Sequence, residues 1–319
     1  MCSVARCDLR LRVSDPAVVM QGQDASQGSV FRAYLELGKP RLSAMAVFAV
    51  VAGCFLGWTP HDTPPLGIVV ATTLGTFLVA AASAALNMYR ERELDKLMHR
   101  TQTRPLPSGR LQPRQVLTFG ILTAIAGESV LLLWSSLTAA ITCFAILFSY
   151  VLVYTPMKVR TPLNTLVGAI PGALPPVVGY AAVTDRIGFG AVILFAIMFC
   201  WQIPHFLAIA WRYRHDYARA GMLMLPVVNP DGSSTRSTML LYVAGLGIAS
   251  LLPFQFRMAG EVYLSTAILL DALFFVPAIT AAVTRWESAM QLTFLVSLVY
   301  LPLLLTVLVL DRQDPGHPL

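Results

Sequence analysis

The sequence predicts an all-α, polytopic membrane protein, and three observations support this prediction. Of the 319 residues, 56% are hydrophobic and only 13% are charged, whereas a soluble domain carries about 25% charged residues. The mean hydropathy is +0.66. Long apolar runs, each near the roughly 20 residues that cross a bilayer, recur along the whole chain. Because lipid offers no water to a bare backbone, and the runs are too long and uniform for barrel strands, we expect helices.

The apolar runs predict nine transmembrane helices in one membrane domain. The first run is short, and the fifth is rich in Gly and Pro, which interrupt helices. The approximate bounds of the nine runs are 42–58, 66–86, 116–134, 137–156, 161–183, 187–210, 238–256, 261–284 and 289–310. We expect residues 1–32 to form a disordered cytoplasmic segment, residues 33–311 the membrane domain and residues 312–319 a short tail.

Lys and Arg residues are distributed unevenly between the two sets of loops. If the N-terminus lies inside, 20 of the 23 fall on inner segments, and only Arg186, Arg257 and Arg312 lie outside. The positive-inside rule therefore predicts a cytoplasmic N-terminus and an outer C-terminus. The net charge of +6 would suggest nucleic acid in a soluble protein, but here it follows from topology, and we expect no nucleic-acid partner.

The first 30 residues bear on the choice of membrane. They contain no long apolar core followed by a small-residue cleavage site, so we expect no secretory signal. Their basic start resembles an organelle-targeting leader, although Asp8 and Asp15 argue against one. We therefore favour a bacterial cell (inner) membrane over the mitochondrial inner membrane.

Oxygen-bearing side chains lie together at the inner end of the second predicted span. Positions i, i+4 and i+8 share one slowly drifting helix face, so Asn87, Glu91 and Asp95 form a row, here called the acidic row. Hard cations, Mg²⁺ above all, bind through one or two carboxylates together with substrate phosphates. Taken alone, the row is equally consistent with a solvated, salt-bridged helix end.

Cationic side chains follow the acidic row in the sequence and occur again in a second inner turn. Arg100 and Arg104 lead into a Pro-rich turn, and guanidinium groups bind phosphate with paired donors. Lys158 and Arg160 lie in a second inner turn, where they are either positive-inside anchors or diphosphate contacts. Carboxylates and cations at one membrane surface predict a metal–diphosphate site on the cytoplasmic side.

The sixth predicted span carries two more candidates. Asp216 follows its inner end and is a candidate second metal ligand. His205 follows Pro204, which should kink the helix. This histidine is either a base, a contact to an acidic or metal-bearing substrate, or a side chain hydrogen-bonded between helices.

A transporter is the alternative from a different functional class. Glu128 and Asp271 are lone acids within predicted spans, and such residues are often functional. The interrupted run at 161–183 also resembles the broken helices of transporters. Most acids and arginines, however, gather at the inner surface rather than at the midplane, which favours an enzyme.

Three stretches carry a family resemblance, at residues 87–109, 154–180 and 201–228. Together they resemble the UbiA superfamily of intramembrane prenyltransferases, over roughly residues 33–310. The segments RTQTRPLPSG, LNTLVGAIPGALPP and PHF followed by DYARAGMLMLPV narrow the resemblance to the branch that farnesylates protoheme IX.

The resemblance implies a fold and a set of site residues. It implies nine helices around a central cavity, capped by the inner loops. The chain departs from the superfamily pattern at two positions. Glu91 stands where Asp is usual, and Ala220 stands where the wider superfamily has the second aspartate of a pair. The implied catalytic metal ligands are Asn87, Glu91, Asp95 and Asp216, with Mg²⁺ as cofactor. The implied diphosphate contacts are Arg100, Arg104, Lys158 and Arg160, and His205 is the candidate heme contact.

The implied reaction is transfer of a farnesyl group from farnesyl diphosphate to a vinyl group of heme b, which gives heme O for terminal oxidases. Other implied partners are the lipid bilayer and either heme A synthase or oxidase assembly factors. Two alternatives stay open: a superfamily enzyme that acts on a quinone precursor, and the transporter.

Overall fold

The computed structural model of the chain describes residues 30–59, 65–284 and 287–313. These residues form helices joined by turns and loops and contain no strand, apart from an isolated bridge between Ala259 and Arg312. The segments expected to be a disordered head and a tail lie largely outside the described residues, at 1–29 and 314–319. Within the described part, the prediction of an all-α fold is confirmed.

The helices are numbered here in chain order. A π-helical turn at Ser149–Tyr154 joins the fifth helix to the sixth. The helices are α1 (30–37), α2 (Pro40–Gly57), α3 (Leu66–Asp95), α4 (Pro113–Trp134), α5 (Leu137–Phe148), α6 (Thr155–Met157), α7 (Asn164–Ala173), α8 (Pro175–Thr184), α9 (Phe189–Arg212), α10 (Arg214–Arg219), α11 (Leu225–Val228), α12 (Ser233–Gln255), α13 (Glu261–Thr284) and α14 (Glu287–Leu310).

Eight helical segments of the described chain are long and apolar enough to cross a membrane. They include the continuous rod from α5 to α6 and the pair α7–α8. The chain is therefore an integral, multi-pass membrane protein. The apolar part of α2, Ser43–Gly57, is shorter than the others, so the predicted count of nine spans is not confirmed.

The interrupted fifth span breaks where its sequence predicts. Helix α7 ends at Ala173 and α8 begins at Pro175. Pro175 and Pro176 have no backbone N–H, so they cannot continue the hydrogen-bond ladder of α7. The first half of this span, α7, packs against α9 and the π-helical turn.

Glycines allow α2 and α8 to approach at backbone distance. A Cβ atom on Gly179 would lie 1.9 Å from the carbonyl oxygen of Val50, and one on Gly53 would lie 2.0 Å from that of Pro176. Small residues permit such close approach of membrane helices. The short α2 is thereby held against the rest of the bundle.

This contact gives a stability prediction. Gly179→Ala should lower the thermal stability of the detergent-solubilised protein, because overpacking costs about 1–3 kcal/mol. Gly67→Ala is the matched control, since a Cβ atom there would meet nothing within 4 Å. Thermal denaturation of both variants tests the contact. Equal melting temperatures for Gly179→Ala and the wild type would contradict it.

Candidate active site

The acidic row at the inner end of α3 is buried. Asn87, Glu91 and Asp95 have 1%, 4% and 0% of their surface exposed, respectively. Glu93, which lies off the row, is 67% exposed and pairs with Lys96 at 2.8 Å. The description of a solvated, salt-bridged helix end therefore fits Glu93 and is wrong for the row itself.

Asp95 is paired with Arg104 from the loop that follows α3. Nη1 of Arg104 lies 2.9 Å from each carboxylate oxygen of Asp95. The hydroxyl of Thr101 donates to the backbone carbonyl of Asp95 at 2.8 Å. Gly109, with φ of +74°, turns the chain back towards α4 in a left-handed conformation that favours glycine. The loop is thus folded onto the end of α3.

Glu91 is paired with Lys158 from the turn after α6. The two side chains meet at 2.7 Å and are 5% and 12% exposed, respectively. The ammonium group of Lys158 also lies 4.7 Å from the ring centroid of Tyr154. Burial alone would lower the pKa of Lys158, but the neighbouring Glu91 carboxylate raises it above the usual value. Lys158 is therefore a permanently charged partner of the row.

Asn87 completes the connection between α3 and α6. Its amide donates to the hydroxyl of Thr155 at 3.1 Å, and that hydroxyl donates to the carbonyl of Tyr150 at 2.8 Å. Tyr150 lies in the π-helical turn, where the i→i−4 ladder is interrupted. The π-helical turn thus provides the acceptor that fixes Thr155 beside the row.

Arg100 and Asp216 meet at one side of these pairs. The backbone N–H of Arg100 donates to Asp216 at 3.4 Å, and its guanidinium donates to the Tyr217 hydroxyl at 2.7 Å. The same guanidinium lies over the rings of Tyr213 and Tyr217, 4.9 and 4.7 Å from their centroids. Asp216 also forms an ion pair with Arg219. The loop after α3 is therefore bound to α10.

The structure does not join Asp216 to the acidic row in one ligand set. Across residues 30–59, 65–284 and 287–313, no three His, Cys, Asp or Glu side chains lie close enough to hold a metal ion together. Arg160 is exposed, and its side chain forms no hydrogen bond or ion pair with the described residues. The roles of both residues stay predictions.

His205 lies half-buried between α9 and α14. Its Nδ1 atom is 2.7 Å from the hydroxyl oxygen of Ser297. Its ring stacks on Trp201 at 5.1 Å and lies 5.1 Å from Phe294. The interhelical hydrogen bond predicted as one alternative is present. The other ring nitrogen has no hydrogen-bond partner among the described residues, so it remains available to a ligand.

Asp271 has a structural role. Its two oxygens accept hydrogen bonds from Ser250 at 2.7 Å and Tyr300 at 2.6 Å. Tyr263 donates to the Ser250 carbonyl at 2.7 Å. These bonds join α12, α13 and α14, so Asp271 gives the transporter alternative no support. Glu128 differs, because its Oε1 atom is buried without a partner in the described part of the chain.

Lys39 is a candidate site residue that the sequence did not reveal. It lies half-buried between α1 and α2, with φ of +43°, which is rare for a residue with a side chain. Burial, followed by the nearby cations Arg104 and Lys158, lowers its pKa to about 7 against the opposing effect of Glu91 and Asp95. In the sequence, the feature that distinguishes Lys39 is its position directly before Pro40. From the sequence alone, it is only one of the positive charges that indicate topology.

A pair of side chains fixes the position of Lys39. Arg110 donates to both carboxylate oxygens of Glu36 on α1, at 3.1 and 2.6 Å. The hydrogen bonds from this guanidinium hold the pKa of Glu36 below its usual value. Helix α1 is thereby bound to the loop after α3, which places Lys39 next to the row.

The described residues form one charge cluster, defined here as Glu91, Asp95, Lys39, Arg104 and Lys158. Two carboxylates and the Asn87 amide on one helix face match the oxygen ligands that Mg²⁺ takes together with substrate phosphates. The cations around them match an anionic group such as diphosphate. The donor set of this chain therefore fits a Mg²⁺–diphosphate pair.

Sequence comparison places the chain among known proteins. The model of the UbiA prenyltransferase family matches residues 46–308. A protoheme IX farnesyltransferase from Solibacter usitatus is 43% identical, over 89% of this chain and 99% of that protein. Proteins of the same name from Myxococcus xanthus and Sorangium cellulosum are 41% and 46% identical, covering 92% and 77% of this chain and 99% and 88% of the relatives.

Solved structures share the fold. A digeranylgeranylglyceryl phosphate synthase superposes with a TM-score of 0.72 at 18% identity, over 88% of this chain and 98% of that chain. A UbiA homolog from Archaeoglobus fulgidus bound to DMAPP and Mg²⁺ superposes with a TM-score of 0.58 at 16% identity, over 86% and 98% of the two chains. The family match over most of the sequence and the shared helical fold agree, and the chain belongs to the UbiA prenyltransferase family.

Proposed function

We propose that the chain transfers a farnesyl group from farnesyl diphosphate to a vinyl group of protoheme IX, giving heme O and diphosphate. The buried acidic row with its paired cations is the observation that supports prenyl transfer. The names of relatives up to 46% identical support protoheme IX as the acceptor. The distribution of Lys and Arg supports a cytoplasmic active site with the C-terminus outside. The proposed membrane is the bacterial cell (inner) membrane.

The acidic row is the proposed metal site. Asn87, Glu91 and Asp95 would hold Mg²⁺, and Asp216 would join them when the loop after α3 and helix α10 close on the substrate. When bound, Mg²⁺ neutralises negative charge on the diphosphate. The carboxylates now contact Arg104 and Lys158 at 2.9 and 2.7 Å, so ligand binding requires these cations to change partners.

The cations are the proposed diphosphate contacts. Arg104 and Lys158 turn from the carboxylates to the diphosphate oxygens, and Arg100 and Arg160 approach from the two loops. Charge that develops on the leaving group as the C–O bond breaks is then met by fixed cations, which is where electrostatic catalysis is strongest. The electron pair of that bond leaves with the diphosphate.

The farnesyl carbon carries the opposite charge in the transition state. Tyr150 and Tyr154 lie 5.4 Å apart beside Lys158, and aromatic faces stabilise cations. The vinyl carbon of the acceptor attacks this allylic carbon, and water adds to the resulting cation with loss of a proton, which gives a hydroxyethylfarnesyl group. The site must exclude water until the vinyl group has attacked.

The first test removes single carboxylates. Asp95→Asn and Glu91→Gln should each reduce heme O formation by about 100-fold or more, because each loses a charged metal ligand. Purified protein is incubated with heme b, farnesyl diphosphate and Mg²⁺, and the extracted heme is analysed by mass spectrometry.

Glu93→Gln is the matched control on the same helix, and it should retain wild-type activity. Full activity in Asp95→Asn would contradict the metal site. Prenylation of an aromatic acid but not of heme would assign the enzyme to quinone-precursor chemistry within the family. Absence of any prenylation by the wild type would contradict the proposed function.

The second test concerns His205, which we propose contacts heme as an iron ligand or as a propionate partner. His205→Ala should weaken heme binding by roughly tenfold, or about 1.4 kcal/mol, in an absorbance titration. His215→Ala, at an exposed histidine of α10, should not. Ser297→Ala removes the interhelical bond but keeps the ring. If His205→Ala and Ser297→Ala weaken heme binding equally, the role of His205 is in packing only.

A further inference from the structure

A cavity lies outside the charge cluster, at the inner ends of α9 and α14. The cavity measures about 170 Å³. Aromatic side chains line it from both helices, and two arginines stand at its margin. The residues that matter here are Trp211, Tyr213, Phe294, Arg212 and Arg214.

The cavity lies between two parts of the proposed site. Tyr213 lines the cavity, and the Arg100 guanidinium lies 4.9 Å from the centroid of its ring. Phe294 lines it from α14, and its ring centroid is 5.1 Å from that of His205. One aromatic ring therefore separates the cavity from the candidate diphosphate contact, and another separates it from the candidate heme contact.

Among the described residues, the lining of the cavity includes two arginines and no carboxylate. Arg214 is held in place, because its guanidinium lies 4.8 Å from the Trp211 ring centroid and donates to the Trp211 carbonyl at 3.0 Å. Arg212 is exposed and forms no ion pair with the described residues. The indole N–H of Trp211 is buried and has no acceptor within the described chain. The cavity is therefore bordered by aromatic rings, with the exposed guanidinium of Arg212 at its margin.

We propose that this cavity binds the carboxylate-bearing edge of the acceptor, a planar aromatic dianion. This inference rests on the proposed function. Arg212 would pair with a carboxylate of the acceptor, since guanidinium groups bind carboxylates with two parallel donors. The ring edge would pack between the aromatic walls. A cavity of about 170 Å³ admits the edge of a tetrapyrrole rather than the whole ring, which leaves its vinyl groups outside.

The site thereby selects the orientation of the acceptor. The propionates of protoheme IX lie on the edge opposite its vinyl groups. Seating that edge beside Arg212 points the vinyl edge away from this cavity, and Tyr213 is the wall shared with the Arg100 side. An acceptor without carboxylates would lose this anchor.

The test is an absorbance titration of the full-length, detergent-solubilised chain with iron protoporphyrin IX and with its dimethyl ester, in the absence of farnesyl diphosphate. Arg212→Gln should weaken binding of the free acid by about tenfold, the loss expected for a charged hydrogen bond. It should leave binding of the ester, which is weaker from the outset, unchanged. Arg114→Gln is the matched control, because Arg114 is exposed on the inner side and does not line the cavity.

Three results would overturn the proposal. One is unchanged affinity of Arg212→Gln for the free acid, and another is an equal loss for acid and ester. The third concerns a lipid headgroup, whose phosphate has similar chemistry. If phosphatidylglycerol in the micelles weakens heme binding of the wild type to the level of Arg212→Gln, the cavity is a lipid-binding site.

A turnover assay on the same preparation separates this inference from the proposed function. If the wild type forms heme O and Arg212→Gln has no effect on heme binding, the cavity proposal is overturned and the proposed function stands. A carboxylate-dependent effect of Arg212→Gln on binding supports the cavity even in a preparation that forms no heme O, and that preparation would count against the proposed function.

Discussion

The inner half of the structure depends on two carboxylates that are held away from water by cations from other elements. Glu91 and Asp95 are at most 4% exposed, and each is satisfied by one cation, Lys158 or Arg104. Breaking such a buried pair costs about 3–5 kcal/mol, because an uncompensated charge remains. The loop after α3 and the turn after α6 are therefore fixed by the end of one helix.

In the proposed mechanism, the same pairs prepare the site for its ligands. Charges that compensate one another in the folded chain would already be positioned for a metal ion on one side and a diphosphate on the other, so little reorganisation would remain when both arrive. The proposed exchange of partners would link the two binding events, since the carboxylates would become free only as Arg104 and Lys158 find new oxygens. The cavity beside Trp211 lies next to this cluster, with Tyr213 as the shared wall.

Much of this arrangement could be predicted from sequence, because it depends on local patterns. Length and apolarity indicated the membrane helices, and the four-residue spacing of Asn87, Glu91 and Asp95 placed these three residues on one helix face.

The choice between a solvated helix end and a binding site could not be made from the sequence, since burial of Glu91 depends on Lys158, which is 67 residues away. Lys39 was missed for the same reason, because only the fold brings it to Arg104 and Lys158. The predicted count of nine spans is not confirmed because of the short helix α2, whose contact with α8 relies on glycines rather than on length.

The partner exchange is tested most directly by measuring metal affinity with and without diphosphate. Binding of Mn²⁺, as a paramagnetic substitute for Mg²⁺, is followed by electron paramagnetic resonance on the purified protein in the presence and absence of inorganic diphosphate. We expect diphosphate to raise the Mn²⁺ affinity of the protein by about tenfold or more, within the usual range of coupling between sites, and we expect Asp95→Asn to abolish this gain. Equal Mn²⁺ affinity in both conditions would contradict this expectation, because the cations would then not need to leave the carboxylates.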